Sequence, residues 1–238
     1  MWTREELKQE AKNTLRGKYW TILGVSILAG FLQGGFFTII TELIDPTHTY
    51  LTVFGNYAVD VNGLIRLWIL VTIISWLYSI FLGNTILIGF YKYLILSIKE
   101  NPSASTLFDF FKISYWNIVK VMFFYQIKLI LWTLCFIVPG IIKAYEYSMV
   151  PYILAQHPDM ESAKVFERSK ELTHDNKFNI FILELSFIGW TLLGLMCCGI
   201  GVLFVVPYVD ITMTHLYLKL KEIHGIDQIE LPPIPETE

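Results

Sequence analysis

The chain alternates between long apolar stretches and short polar segments. Four apolar runs cover approximately residues 19–40, 67–91, 121–142 and 178–209. A helix needs roughly 20 apolar residues to cross the hydrocarbon core of a bilayer. Each of the first two runs therefore predicts one membrane-spanning helix. The last two runs are too long or too interrupted for a single span each.

Turn-forming residues divide the last two runs. Pro139-Gly140 interrupts the third run, and the Cys-Cys-Gly-Ile-Gly segment at 197–201 interrupts the fourth. We interpret each of these runs as a tight helical hairpin. The sequence then predicts an all-α polytopic membrane bundle of about six transmembrane helices, arranged as three hairpin-like units. A total of roughly four or five spans, with the breaks as kinks or re-entrant turns, is the alternative.

The predicted elements form a single integral membrane domain at residues 1–222, followed by an acidic, proline-rich cytoplasmic tail at 223–238. An N-terminal interfacial helix occupies 1–18, and similar polar segments at 103–116 and 159–178 precede later spans. The predicted spans lie at about 19–42, 64–91, 117–138, 141–156, 178–196 and 201–219.

The first polar segment carries a clear helix signal. Thr3 and Glu6 have the spacing of a capping box, and Leu7, Ala11 and Leu15 line one helical face. Two interpretations are about equally good. The helix lies in the headgroup plane of an anionic membrane, or it caps the bundle on its cytoplasmic side.

Composition supports membrane embedding. Hydrophobic residues make up 54% of the chain and charged residues 16%, whereas soluble domains carry about 25% charged residues. The mean hydropathy is +0.52. A net charge of −3 provides no argument for nucleic-acid binding. The lipid bilayer is the partner that this composition predicts.

The distribution of basic residues predicts the orientation. In the segments assigned to the outside, only Arg66 is basic. Under the positive-inside rule both termini are then cytoplasmic, in a multi-pass protein of the cell membrane. The first 18 residues lack the features of a cleavable signal peptide, so the first span reads as an uncleaved anchor. The basic residues assigned to the inside are Arg4, Lys8, Lys12, Arg16, Lys18, Lys92, Lys99, Lys112, Lys164, Arg168, Lys170, Lys177, Lys219 and Lys221.

Ionisable residues within the apolar segments are the candidate site. Lys128 lies about 16 Å before the Pro139-Gly140 turn and Asp210 about 14 Å after Gly201, so both are expected near the midplane as an ion pair. Lys143 and Glu146 share a helical face, and Glu184 is the fifth residue. One hypothesis is a polar cavity for a solute, a proton or a lipid headgroup. The other, which we favour, is a set of paired charges that fix helix register.

Small residues mark a candidate packing face on the first span. Ser26, Gly30 and Gly34 follow small-xxx-small spacing, which permits close approach of another helix. That helix belongs to the same chain or to a second copy, and internal packing is the preferred interpretation.

Signatures of catalysis and metal binding are missing from the sequence. It contains no H-E-x-x-H, G-x-S-x-G or P-loop pattern, and no pair of histidines has the spacing of a metal site on one helix. We interpret Cys135, Cys197 and Cys198 as small buried hydrophobic residues. The expectation is a protein that is not an enzyme and has no metal and no cofactor.

One stretch is distinctive: PGIIKAYEYSMVPYILAQHPDMESAKVFERSKELT at 139–173. With LKQEAKNTLRGKYW at 7–20, LELSFIGW at 183–190 and GIGVLFVVPY at 199–208, it resembles an uncharacterised family of bacterial integral membrane proteins, domain of unknown function 975. The resemblance runs from Leu7 to about Tyr217. It implies a multi-pass plasma-membrane protein of a Gram-positive bacterium, and it implies no particular activity or catalytic residue.

Three functional hypotheses follow. The preferred one is a non-enzymatic membrane protein that acts through lipids, other membrane proteins or self-association, in envelope upkeep or stress resistance. The second is a small-solute or lipid transporter that uses Lys128, Asp210 and the Lys143–Glu146 pair. The third, an intramembrane enzyme, is disfavoured because no nucleophile–base pair or metal cluster is readable.

Overall fold

The structure, a computed structural model, describes residues 2–45, 61–196 and 199–225. These residues form helices joined by short turns, and no strand occurs among them. The all-α prediction is confirmed. Residues 46–60, which lie between the first two predicted spans, and residues 226–238 of the acidic tail are outside the described residues, as are Cys197 and Cys198.

Within the described ranges, 5 helices are long and apolar enough to cross a membrane. They are α2 (Tyr19–Leu43), α3 (Asn62–Ser97), α4 (Tyr115–Cys135), α8 (Lys177–Met196) and α9 (Ile200–Ile223). The shorter helices are α1 (Arg4–Leu15), α5 (Ile137–Glu146), α6 (Val150–Gln156) and α7 (Ser162–Thr173), with a 3₁₀ helix at Ala104–Phe111 between α3 and α4.

Helix α1 begins as its sequence predicts. The Glu6 backbone N–H donates to Thr3 Oγ1 at 3.2 Å, and the Thr3 N–H donates to Glu6 Oε2 at 3.4 Å, which completes the capping box. Leu7, Ala11 and Leu15 are all buried in the protein core, largely against α9. A face that is already covered by protein is not free to insert into lipid. The burial therefore favours the interpretation of α1 as a cap packed on the bundle.

The two N-terminal spans are irregular where they meet. A π-helical turn occupies Phe31–Gly35 in α2 and another occupies Ser79–Gly83 in α3, and the two turns are in contact. Gly34 adopts φ 133°, a conformation that strains any other residue. The Tyr78 hydroxyl donates to the Leu32 carbonyl at 2.6 Å, so a neighbouring span satisfies a backbone group in the distorted region.

Helix α3 is longer than the predicted span at 64–91. It has 36 residues, which corresponds to about 54 Å and exceeds the roughly 30 Å of a hydrocarbon core. Its last turns pack on the 3₁₀ helix, where the Gly89 backbone lies against the Leu107 carbonyl. Only part of α3 can lie in hydrocarbon, and the remainder builds the protein core.

The break in the third apolar run lies earlier than predicted. Helix α4 ends at Cys135, Phe136 is extended at φ −160° and ψ 142°, and α5 begins at Ile137. Pro139 and Gly140, expected to form the turn, lie in the first turn of α5. Proline is tolerated there because the N–H it lacks would have no helical acceptor.

The predicted span at 141–156 is two short helices rather than one. Helix α5 ends at Glu146, a turn follows, and α6 runs from Val150 to Gln156 with Pro151 in its first turn. The following pair, α8 and α9, matches the predicted spans at 178–196 and 201–219 closely. In that hairpin a Cβ on Gly201 would lie 2.7 Å from the Gly194 Cα, so the two helices approach as closely as glycine allows.

Candidate functional site

A buried carboxylate joins α5 to α8. Glu146 is the last residue of α5, and its side chain is only 5% exposed. Its Oε1 lies 2.7 Å from Lys143 Nζ, and its Oε2 lies 2.8 Å from Lys177 Nζ, on the first residue of α8. The predicted Lys143–Glu146 pair is thus present, and Lys177 is a partner that the sequence did not reveal.

The backbone of Glu146 adds a third helix to this junction. Its carbonyl accepts hydrogen bonds from Ser169 Oγ at 2.8 Å and from Thr173 Oγ1 at 3.3 Å, both buried on α7. A carbonyl in the last turn of a helix has no intrahelical partner, so these hydroxyls cap α5. We call Lys143, Glu146, Ser169, Thr173 and Lys177 the Glu146 junction.

Lys128 and Asp210 do not form the predicted ion pair. Lys128 Nζ lies 3.5 Å from the centre of the Phe166 ring and 5.8 Å from that of Tyr147, an arrangement of cation–π type. Helix α4, which carries Lys128, packs mainly on α3, α5 and α7. Counting residues from the predicted turns gave the position of each residue along its own helix. It could not show which helices are neighbours in the bundle.

Asp210 lies instead among tyrosines. It interacts electrostatically with Tyr91 of α3 and Tyr152 of α6, whose ring centres are 4.4 Å apart. Glu184 of α8 interacts with the same two tyrosines, and its Oε2 accepts a hydrogen bond from the Tyr145 hydroxyl at 2.7 Å. These residues form the tyrosine–carboxylate cluster. In the part of the chain that the structure describes, neither carboxylate makes a salt bridge.

Within the chain, the predicted small-residue face on α2 makes no close contact with another helix at Gly30 or Gly34. A Cβ added to Gly30 or Gly34 would meet no neighbouring atom within 4 Å. The Ser26 hydroxyl is buried and has no hydrogen-bond partner among the described residues. Close backbone approaches in the described residues lie at other glycines: Gly83 against the Gln33 carbonyl, Gly89 against the Leu107 carbonyl, and Gly194 against Gly201.

The structure describes one of the three cysteines, Cys135. Cys135 is exposed at the end of α4, so its interpretation as a buried residue was wrong. Within the described ranges, no group of three or more His, Cys, Asp or Glu residues could hold a metal ion.

A groove that the sequence analysis missed opens between α1 and the α8–α9 hairpin. Its volume is about 460 Å³. We call it the α1 groove. The sequence contained one signal of the groove, namely the regular spacing of the basic residues in α1. Its lining residues are Lys12, Leu15, Arg16, Tyr19, Trp190, Phe204, Val205 and Tyr208.

Comparison with known proteins supports the resemblance seen in the sequence. The model of a family described as protein of unknown function (DUF975) matches residues 117–224. No curated protein and no solved structure matches the chain.

The matched region contains Glu146 and the other ionisable candidates Lys128, Lys143, Glu184 and Asp210, whereas α1 to α3 lie outside it. The resemblance at residues 7–20 therefore stays a prediction. The 5 long apolar helices of the described residues fit a multi-pass membrane protein. Over residues 117–224 the chain is similar to the family of unknown function DUF975.

Proposed function

We propose that this is a non-enzymatic protein of the cell membrane that acts through contacts with lipids or other membrane proteins in upkeep of the envelope. The observation that carries the proposal is the α1 groove, an apolar cleft on the protein surface that is edged by the cations Lys12 and Arg16. A cleft of this composition suits a ligand with an anionic end and an apolar body.

The Glu146 junction supports the same proposal. Its carboxylate oxygens are each paired with a lysine, and its carbonyl is capped by two hydroxyls. A charge that is fully engaged in joining helices is not available to a reacting substrate. The junction therefore suits assembly rather than catalysis.

A second candidate is a small-solute or lipid transporter. The observation that favours it is the tyrosine–carboxylate cluster, where Glu184 accepts a hydrogen bond from the Tyr145 hydroxyl and neither Glu184 nor Asp210 makes a salt bridge among the described residues. Ionisable groups within membrane-spanning helices often mark solute or proton pathways.

Purification of the full chain in native nanodiscs, followed by mass spectrometry of bound lipids and proteins, tests the first proposal. Enrichment of a lipid class or of a stoichiometric membrane protein is expected. Flux assays in proteoliposomes test the second candidate. Solute movement that is abolished by Asp210→Asn, in a protein that retains neither lipid nor partner, would replace the first proposal with the second.

A further inference from the structure

We infer that the α1 groove binds one anionic phospholipid, with Lys12 and Arg16 at its phosphate and Trp190 and Phe204 along an acyl chain. This inference rests on the proposed function and names the ligand class of that same groove. The four residues come from α1, its C-terminal boundary, α8 and α9, so the groove exists only in the folded bundle.

The first argument is charge that other groups leave unneutralised. Lys12 and Arg16 are exposed, and neither makes a salt bridge in the described part of the chain. The groove lining contains no acidic residue. A pair of free cations at the edge of an apolar cleft is complementary to a phosphodiester.

Two of the three acidic residues of α1, Glu6 and Glu10, lie close to basic side chains of α9. Glu10 Oε2 lies 3.4 Å from His215 Nδ1, and Glu6 Oε1 lies 3.9 Å from Lys219 Nζ, with both partners on α9. These two carboxylates of α1 therefore lie beside α9, whereas Lys12 and Arg16 lie at the groove. The separation leaves the groove with a positive edge.

The second argument is mutual repulsion along that edge. Arg4, Lys8, Lys12 and Arg16 follow each other at intervals of four positions, which places them along one side of α1. Lys8 Nζ lies 4.6 Å from the centre of the Phe187 ring. Burial lowers the pKa of Lys8, and the neighbouring charges of Arg4 and Lys12 lower that pKa further. An anion bound beside this row would relieve the repulsion.

The third argument is the apolar wall, which a free phosphate would not use. The Trp190 side chain is 59% exposed and that of Phe204 is 46% exposed. The Tyr19 hydroxyl donates to the Phe204 carbonyl at 2.8 Å, which holds the start of α2 against the groove. Beyond Phe204 the exposed apolar surface continues over Trp20, whose ring is perpendicular to that of Phe204 with the ring centres 6.4 Å apart. An acyl chain can leave the groove along this surface into the bilayer.

Native mass spectrometry of the full chain, titrated with phosphatidylglycerol and phosphatidylcholine of identical acyl chains, tests the assignment. Each surface cation contributes about fivefold to anionic-lipid affinity. The variant Lys12→Gln/Arg16→Gln should therefore bind phosphatidylglycerol about 25-fold more weakly, with little change for phosphatidylcholine. Trp190→Ala/Phe204→Ala should weaken the binding of both lipids.

Two controls keep the test specific. Lys164→Gln/Lys170→Gln removes the same charge from exposed positions on α7 and should leave phosphatidylglycerol binding unchanged. Lys12→Arg/Arg16→Lys keeps the charge and should retain the preference, which separates loss of the site from loss of folding.

Equal phosphatidylglycerol binding by the Lys12→Gln/Arg16→Gln variant and the wild type overturns the site, although lipid binding elsewhere would leave the proposed function intact. Complete displacement of the lipid by glycerol phosphate also overturns it, because the ligand would then be a free anion. A wild type without anionic preference overturns it too, and the proposed function then depends on whether a membrane protein copurifies.

Discussion

Lys177 Nζ lies 2.8 Å from Glu146 Oε2, which ties the first residue of α8 to the last residue of α5 across 31 positions of sequence. The carboxylate is buried, whereas the two lysines that flank it are each about a quarter exposed. The pair fixes where α8 enters the bundle relative to the α4–α5 hairpin, and the α7 hydroxyls hold the same corner.

Loss of the Glu146 carboxylate should destabilise this corner. We expect Glu146→Gln to lower the free energy of unfolding by about 1–3 kcal/mol, because breaking a buried pair costs about 3–5 kcal/mol and solvent reduces that cost at the partly exposed lysines. Thermal unfolding in detergent measures the change. Glu167→Gln, on the exposed side of α7, is the matched control and should have almost no effect. Equal stability of the two variants would contradict the role of the junction.

Lys128 and Asp210 should behave independently. In a double-mutant cycle of Lys128→Gln and Asp210→Asn, we expect a coupling free energy below about 0.5 kcal/mol, because the two groups have separate partners. Lys128→Gln alone should cost about 0.5–2 kcal/mol through loss of its contact with Phe166. A cycle on Glu146 and Lys177, measured by the same thermal unfolding, is the positive control. Strong coupling between Lys128 and Asp210 would contradict this expectation and support the ion pair that the sequence predicted.

The α8–α9 hairpin should reject side chains at its closest point. A Cβ at Gly201 would lie 2.7 Å from the Gly194 Cα, whereas one at Gly189 meets no atom within 4 Å. Gly201→Ala should therefore lower the melting temperature through overpacking worth about 1–3 kcal/mol. Gly189→Ala should be neutral or stabilising by up to about 1 kcal/mol, since alanine is the better helix former. A larger loss of stability for Gly189→Ala than for Gly201→Ala would mean that α8 and α9 are not closely packed at Gly201.

Both termini should lie in the cytoplasm. The distribution of basic residues predicts an even number of crossings, so we expect the short helices α5 and α6 together to form a sixth crossing beside the five long helices. Fluorescent-protein fusions at each terminus should fluoresce, and alkaline phosphatase fusions at the same positions should be inactive. An active phosphatase at either end would show an odd number of crossings and would contradict the orientation.

The long spans were predictable because an apolar length is a local property of the chain. The end of α2 was expected at residue 42 and lies at Leu43, and the α8–α9 hairpin was placed within a few residues. The turn at Pro139-Gly140 was displaced because proline is compatible with the first turn of a helix as well as with a break. The extended conformation of Phe136, not the proline, ends α4.

Partners were predictable only where they are close in sequence. Lys143 and Glu146 are three positions apart on one helix, so their pairing follows from helical geometry. Lys177 joins them from another helix, and Lys128 faces Phe166 rather than Asp210. Hydropathy gives the depth of a residue and not the direction its side chain faces, so these contacts depend on how the helices pack.

The sequence by itself determined that the chain is helical, that it enters a membrane several times and which residues begin its first helix. Burial of α1, division of the segment at 141–156 and formation of the α1 groove were decided by tertiary structure. The physical reason is that spans and caps depend on neighbours within a few residues, whereas a groove or a charge junction depends on side chains that only helix packing brings together.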